Sequence, residues 1–197
     1  MIGLGAYGGI GLGRARSLRR RLWGVLAAAL LLRGTAAAEL ASEYQVKAVF
    51  VFNFSHFVDW PAQSFTAANV PFVIGVLGSD PFGSRLDEAV RGERVTDHPL
   101  VVRRFRSIDE IEDCQILFID RSEVGQLGRI VSTLNHRSIL TVSEIDQAAQ
   151  RGVIIQFATE DNHIRLKINL DAAHAAGLSI SSKLLRLADI VGTSPGG

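Results

Sequence analysis

Four short apolar runs recur along this chain: Phe72–Leu77 (FVIGVL), Leu100–Phe105 (LVVRRF), Cys114–Ile119 (CQILFI) and Ile139–Val142 (ILTV). Each is shorter than a buried helix requires, and each is bounded by turn residues or by a stretch of helical spacing. Strands that are nearly continuously hydrophobic and separated by helices must be buried on both faces, which selects a mostly parallel sheet. The 197 residues allow one domain, and 47% hydrophobic content supplies a core without disulfide or metal staples.

The segments between the runs carry their own signals. Residues 43–60 place apolar side chains at 46, 49, 50, 54, 57 and 58, the spacing of a helix that Pro61 ends. Val51 and Phe52 widen its apolar stripe beyond one face, so this helix is expected either to be buried on two sides or to offer a partner surface at those two residues. Leu86, Ala89 and Val90 continue a helix after the turn 78–83. Ser107 to Glu110 reads as a capping box, and Ser122 as the cap of a helix carrying Val124, Leu127, Ile130, Val131 and Leu134. A further short helix is expected between Ser143 and Gly152.

The pattern changes near the C-terminus. Val153–Phe157 and Ile164–Ile168 flank a turn at Asp161-Asn162, which predicts an antiparallel hairpin. The second strand alternates Ile164, Leu166 and Ile168 with Arg165 and Lys167, the mark of a half-exposed sheet edge. A last helix is expected near 181–191 on Leu184, Leu185, Ala188 and Val191, followed by a frayed tail at 192–197.

The N-terminus reads as an address. Basic residues from Arg14 to Arg21, the apolar run Leu22–Leu32 and the small residues Thr35 to Ala38 follow the order of a secretory signal peptide over 1–38, leaving a domain over 39–191. The apolar run is too short to span a bilayer. From Glu39 onward the chain has 15 basic against 20 acidic residues, the wrong sign for a nucleic-acid binder. Gly3, Gly5 and Gly8 match G-x-G-x-x-G, but no strand precedes them and they lie in the leader.

The chain offers little catalytic chemistry. Its five histidines form no HExxH and no i, i+4 pair, and Cys114 is the only cysteine, which leaves no zinc or CxxC pattern. There is no G-x-S-x-G elbow and no Walker lysine. Cys114 opens an apolar strand, where desolvation mutes a thiol. No catalytic, cofactor or metal residues are therefore assigned. The one loop placed to bind a ligand is Gly78, Ser79, Asp80 to Gly83, at the carboxyl end of the first strand, where free N–H groups attract anions. Asp80 before Pro81 equally fits a purely structural N-cap.

Taken in order, several blocks form a pattern. They are Glu43-Tyr44-x-x-Lys47-Ala48 leading to Trp60-Pro61, Val76-Leu77-Gly78 with Pro81-Phe82-Gly83, Cys114-x-Ile-Leu-Phe-Ile119, Ile139 to Ser143, Gly152-x-Ile154-Ile155-x-Phe157, Ile168-Asn169-Leu170 and Gly177 to Ala188. Over residues 43 to 191 this order resembles the YfiR family of periplasmic regulators. The resemblance implies a Rossmann-like α/β domain that pairs with a second copy of itself and acts by binding, not by catalysis. It further implies repression of an inner-membrane diguanylate cyclase of YfiN type, or a related membrane kinase, through the periplasmic sensory domain, and sequestration by an outer-membrane lipoprotein of YfiB type. Some family members pair a cysteine matching Cys114 with one at the position of Gly75; with no second cysteine, that internal disulfide is excluded here. The alternative function is a periplasmic sensor of a small ligand or anion at the 78–83 loop.

Overall fold

The computed structural model describes residues 41–65, 70–161 and 163–192. The leader expected over 1–38 and the tail residues 193–197 lie outside the described residues. From Tyr44 onward the chain forms one compact unit.

Helix α1 covers 41–57. The strands are β1 (Val58–Asp59), β2 (Phe72–Leu77), β3 (Arg94–Val95), β4 (His98–Phe105), β5 (Ile116–Ile119), β6 (Leu140–Ser143), β7 (Ile155–Glu160), β8 (His163–Asn169), β9 (Ser179–Ile180) and β10 (Ala188–Val191). Between them lie α2 (Ser84–Val90), α3 (Leu127–Leu134), α4 (Leu170–Ala175) and α5 (Ser182–Leu185). Eight strands form one sheet in the order β3-β4-β2-β5-β6-β7-β8-β10, while β1 and β9 pair antiparallel in a small sheet of their own. Strands β4, β2, β5, β6 and β7 run parallel to one another, while β3 and β8 flank them antiparallel. Their chain order across the sheet is second, first, third, fourth, fifth, the doubly wound arrangement whose topological switch point lies between β2 and β5.

Burial explains why the central strands read as unbroken apolar runs. All six residues of β2 and all four of β5 and β6 are buried, because a hydrophobic cluster covers each face of the sheet. On one face Ala48, Val51 and Phe54 of α1, Leu86 and Val90 of α2 and Ala173 of α4 pack over Ile74, Val76, Ile116, Phe118, Leu140 and Val142. On the other, Leu127, Ile130 and Leu134 of α3 join Ile108, Ile111, Ile145 and Ala148 over Val73, Leu77, Leu117 and Ile119.

The α/β architecture, the doubly covered parallel sheet and the C-terminal antiparallel hairpin agree with the sequence reading. In the hairpin Glu160 pairs with His163 across a two-residue turn, with Asp161 at φ 49°, the positive angle that turn requires. Four local expectations are corrected. The segment 181–191 is not one helix: after the single turn α5, residues Ala188–Val191 form β10 and pair parallel with β8. Consequently β8 is not the sheet edge, because β10 covers it. The 3-10 turn Arg121–Glu123 is capped by Asp120, whose carboxylate accepts from the Ser122 N–H at 2.9 Å, and Ser122 is not the cap. The residues between Ser143 and Gly152 form turns, not a helix.

The tightest packing is at Gly75 in β2. A Cβ there would stand 2.7 Å from Phe105 Cε2, 2.9 Å from Cys114 Sγ and 3.0 Å from Leu117 Cδ1. Gly75→Ala should therefore cost about 1–3 kcal/mol by overpacking. Urea unfolding of the two proteins checks this; equal midpoints would show that the site yields freely.

Candidate functional site

Two clusters of charged side chains lie at the carboxyl ends of the parallel strands. At the switch point β2 continues into the loop 78–83 and β5 into Asp120. Gly78, at φ 90°, donates its N–H to Phe105 O at 3.2 Å, and a Cβ there would meet Ser122 Oγ at 2.5 Å. The Ser79 N–H donates to Ser122 Oγ at 3.0 Å. Asp80 Oδ1 accepts from the N–H groups of Phe82 and Gly83 at 2.8 and 3.3 Å. The helix that follows begins at Ser84, so Asp80 caps a turn before α2 and not the helix itself.

Arg104 of β4 then ties this loop to the helix. Its Nε donates to Asp80 Oδ2 at 2.8 Å, its remaining nitrogens bond both oxygens of Asp87, and one of them also bonds Gly83 O at 2.9 Å. The hydrogen bond from Arg104 holds the Asp87 carboxyl below its usual range, and the two carboxylates raise the Arg104 guanidinium. The N–H groups of Gly78, Ser79 and Gly83 and the carboxylate of Asp80 are thus all engaged within the chain.

A second cluster lies two strands over from β2, at the end of β6. Glu144 follows β6 and is 3% exposed. Its Oε1 accepts from Tyr44 Oη at 2.6 Å and lies 3.3 Å from Arg121 Nε, while Oε2 accepts from Lys47 Nζ at 2.5 Å. Lys47 is 1% exposed, the largest fully buried side chain in α1, and its ammonium also sits 4.9 Å from the centre of the Tyr44 ring. Two buried charges survive only when paired, because desolvating either alone costs several kcal/mol. Beside the pair a depression of about 260 Å³ opens between Arg121, Val124, Glu144, Ile145 and Asp146.

Sequence reasoning did not join these residues. The available signal was Lys47, the one fixed charge between Glu43 and Asp59 and set on the helical face of Ala48, Val51 and Phe54. A lysine among core positions demands an acid, and Glu144 supplies it from 97 residues away.

The surface candidates of α1 divide. Val51 is wholly buried under the sheet cluster, so it presents nothing to a partner. Phe52 is half-buried, and its ring meets His56 edge-on at 5.3 Å. Cys114 is 4% exposed, which removes the strand-end exposure that an intermolecular disulfide would need. Burial pushes its thiol up to about 12. Among the described residues no cluster of three or more His, Cys, Asp or Glu is placed to hold a metal ion, and no helix is long and apolar enough to cross a membrane.

The sequence matches the model of one protein family, described as YfiR/HmsC-like, over residues 44–189. The chain belongs to the YfiR/HmsC-like family. That family is regulatory and not catalytic. No curated protein matches the chain. Among solved structures, one described as the ABC domain in complex with L-Trp from Streptococcus pneumonia is similar at 12% identity with a TM-score of 0.46, over 61% of this chain and 55% of that one. The chain thus spans about half of that neighbour's length.

Two measurements check this description. Lys47→Met and Glu144→Gln should each cost about 3–5 kcal/mol, since each strands a buried charge; a loss below 1 kcal/mol in either would mean that water reaches the pair. For Cys114 the sign follows from a folded value near 12 against an ordinary 9.0. The unfolded thiol ionises first, so stability is untouched below pH 9 and falls above it. Between about pH 8 and pH 10 the wild type should lose roughly 1 kcal/mol more than Cys114→Ala. Parallel pH profiles would contradict the burial.

Proposed function

We propose that this protein is a periplasmic regulatory binding protein that represses an inner-membrane diguanylate cyclase, or a related membrane signalling receptor, through the receptor's periplasmic sensory domain and so lowers cyclic di-GMP. Membership of the YfiR/HmsC-like family over 44–189 carries this reading. The carboxyl edge of the sheet supports it: the groups that would do chemistry there, Asp80, Asp87, Arg104, Lys47 and Glu144, are bonded to one another. A protein whose polar groups are spent internally acts through its surface, and it shifts a receptor's output only by binding one receptor state more tightly than the other. Export through the leader at 1–38 places it with that sensory domain, and release through an outer-membrane lipoprotein belongs to the same reading.

Cyclic di-GMP measured in cells lacking the gene is the test. Deletion should raise it, the full-length gene should restore it, and a gene lacking residues 1–38 should not. Unchanged cyclic di-GMP on deletion would remove the cyclase as partner. Restoration by the leaderless gene would remove the periplasm as the place of action. The alternative, an anion or metabolite held by the 78–83 loop, requires a thermal shift with such ligands, because binding to the native state raises apparent stability.

A further inference from the structure

The two edges of the main sheet are built differently. At one edge β3 has only two residues and is flanked by Arg91, Glu93 and Asp97, all exposed; Thr96 stands at φ 52°, and the Arg94 guanidinium donates to Asp97 O across the turn. A short, charged, sharply turned edge is the ordinary defence against unwanted strand pairing. At the other edge β10 has four residues without proline or a bulge, all in register with β8. Ile190 on this strand is 50% exposed, and Leu187 just before it is 71% exposed. The one charge on β10 is Asp189.

Asp189 is left uncompensated by its neighbour. Lys167 lies directly beside it in the β8 register, yet the Lys167 ammonium turns to Glu160 at 2.9 Å. Among the described residues Asp189 makes no ion pair. Among the described residues no strand pairs with the outer side of β10, and this edge shows a pattern: Ala188 and Ile190 on the face of α1, continuous with Leu166 and Ile168, and the Asp189 carboxylate on the other.

We infer that the free edge of β10 accepts an extended strand from another protein, one that alternates apolar and basic residues and sets a basic side chain opposite Asp189. Main-chain hydrogen bonds supply affinity in such strand addition, and the alternating side chains supply choice. A second copy fits poorly. Two-fold antiparallel pairing that keeps like faces together and uses residues 187 to 191 sets Asp189 opposite its own counterpart, and like charges directly opposite repel. The neighbouring registers, centred on Ala188 or on Ile190, pair only Leu187 to Asp189 or Asp189 to Val191 within this stretch.

The test uses the protein expressed from its full-length gene, followed by amide NMR, and two probes: the capped peptides Lys-Val-Lys-Val-Lys-Val and Glu-Val-Glu-Val-Glu-Val. The basic peptide should shift amides of 187–191 and bind at least about fivefold more tightly than the acidic one. Asp189→Lys should invert that preference, and Ile190→Glu should abolish binding of both. Both residues are exposed, and an unchanged amide spectrum outside β8 and β10 shows that each variant is folded. Absence of shifts at 187–191 with either peptide at about 1 mM, or a preference unaltered by Asp189→Lys, overturns the inference. So does a concentration-dependent dimer that blocks the peptide, which would give the edge to a second copy. None of these readouts involves the cyclase, so their failure leaves the reading of function intact.

Discussion

One buried ion pair ties the first helix to the sheet. Lys47 rises from the core face of α1 to meet Glu144 at the carboxyl end of β6, with Tyr44 and Arg121 taking up the second carboxylate oxygen. The pair fixes where the first helix lies on the sheet, and through it the positions of Ala48, Val51 and Phe54 over β2, β5 and β6. Displacing the helix would strand two charges in a medium that penalises each by several kcal/mol, in addition to unpacking the buried Ala48, Val51 and Phe54.

The same economy runs along the whole carboxyl edge. In doubly wound sheets this edge is where ligands bind, because N–H groups and helix starts open there. Here the first loop is closed by Asp80, Arg104 and Ser122, and the fourth strand's end by the Lys47–Glu144 pair. Polar chemistry at these positions is spent on holding loops and helices in place. What remains unspent is at the margins: the half-buried Phe52 on α1, and the β10 edge with Leu187, Asp189 and Ile190. A fold that locks its usual active-site edge and leaves apolar surface at a sheet edge suits a protein whose work is to be bound.

Much of this was legible in the sequence, for identifiable reasons. Strands β2, β5 and β6 announced themselves because burial on both faces demands continuous apolar residues, and the β7–β8 hairpin because its turn needs Asp161 at positive φ. The C-terminal strand was hidden. Leu184, Leu185, Ala188 and Val191 keep helical spacing, yet only Leu184 is buried; the rest of the pattern is the accident of one helical turn running into an edge strand. Val51 misled in the opposite sense. It widened the apolar stripe of α1 because the helix is buried over a broad arc, not because it meets a partner. The Lys47–Glu144 pair was out of reach for a plainer reason: nothing in local pattern couples residues 97 apart.

The central claim is that the polar clusters of the carboxyl edge are structural and that function resides on the surface. The most direct measurement is made on the double variant Lys47→Met, Glu144→Leu, which removes both charges and keeps the volume filled. Replacing a buried pair by matched apolar residues is often neutral for stability. The account predicts that this variant folds within about 1–2 kcal/mol of the wild type and still lowers cyclic di-GMP in cells lacking the gene. A variant equally stable and equally abundant that no longer lowers it would contradict the account and make the Lys47–Glu144 cluster the functional site.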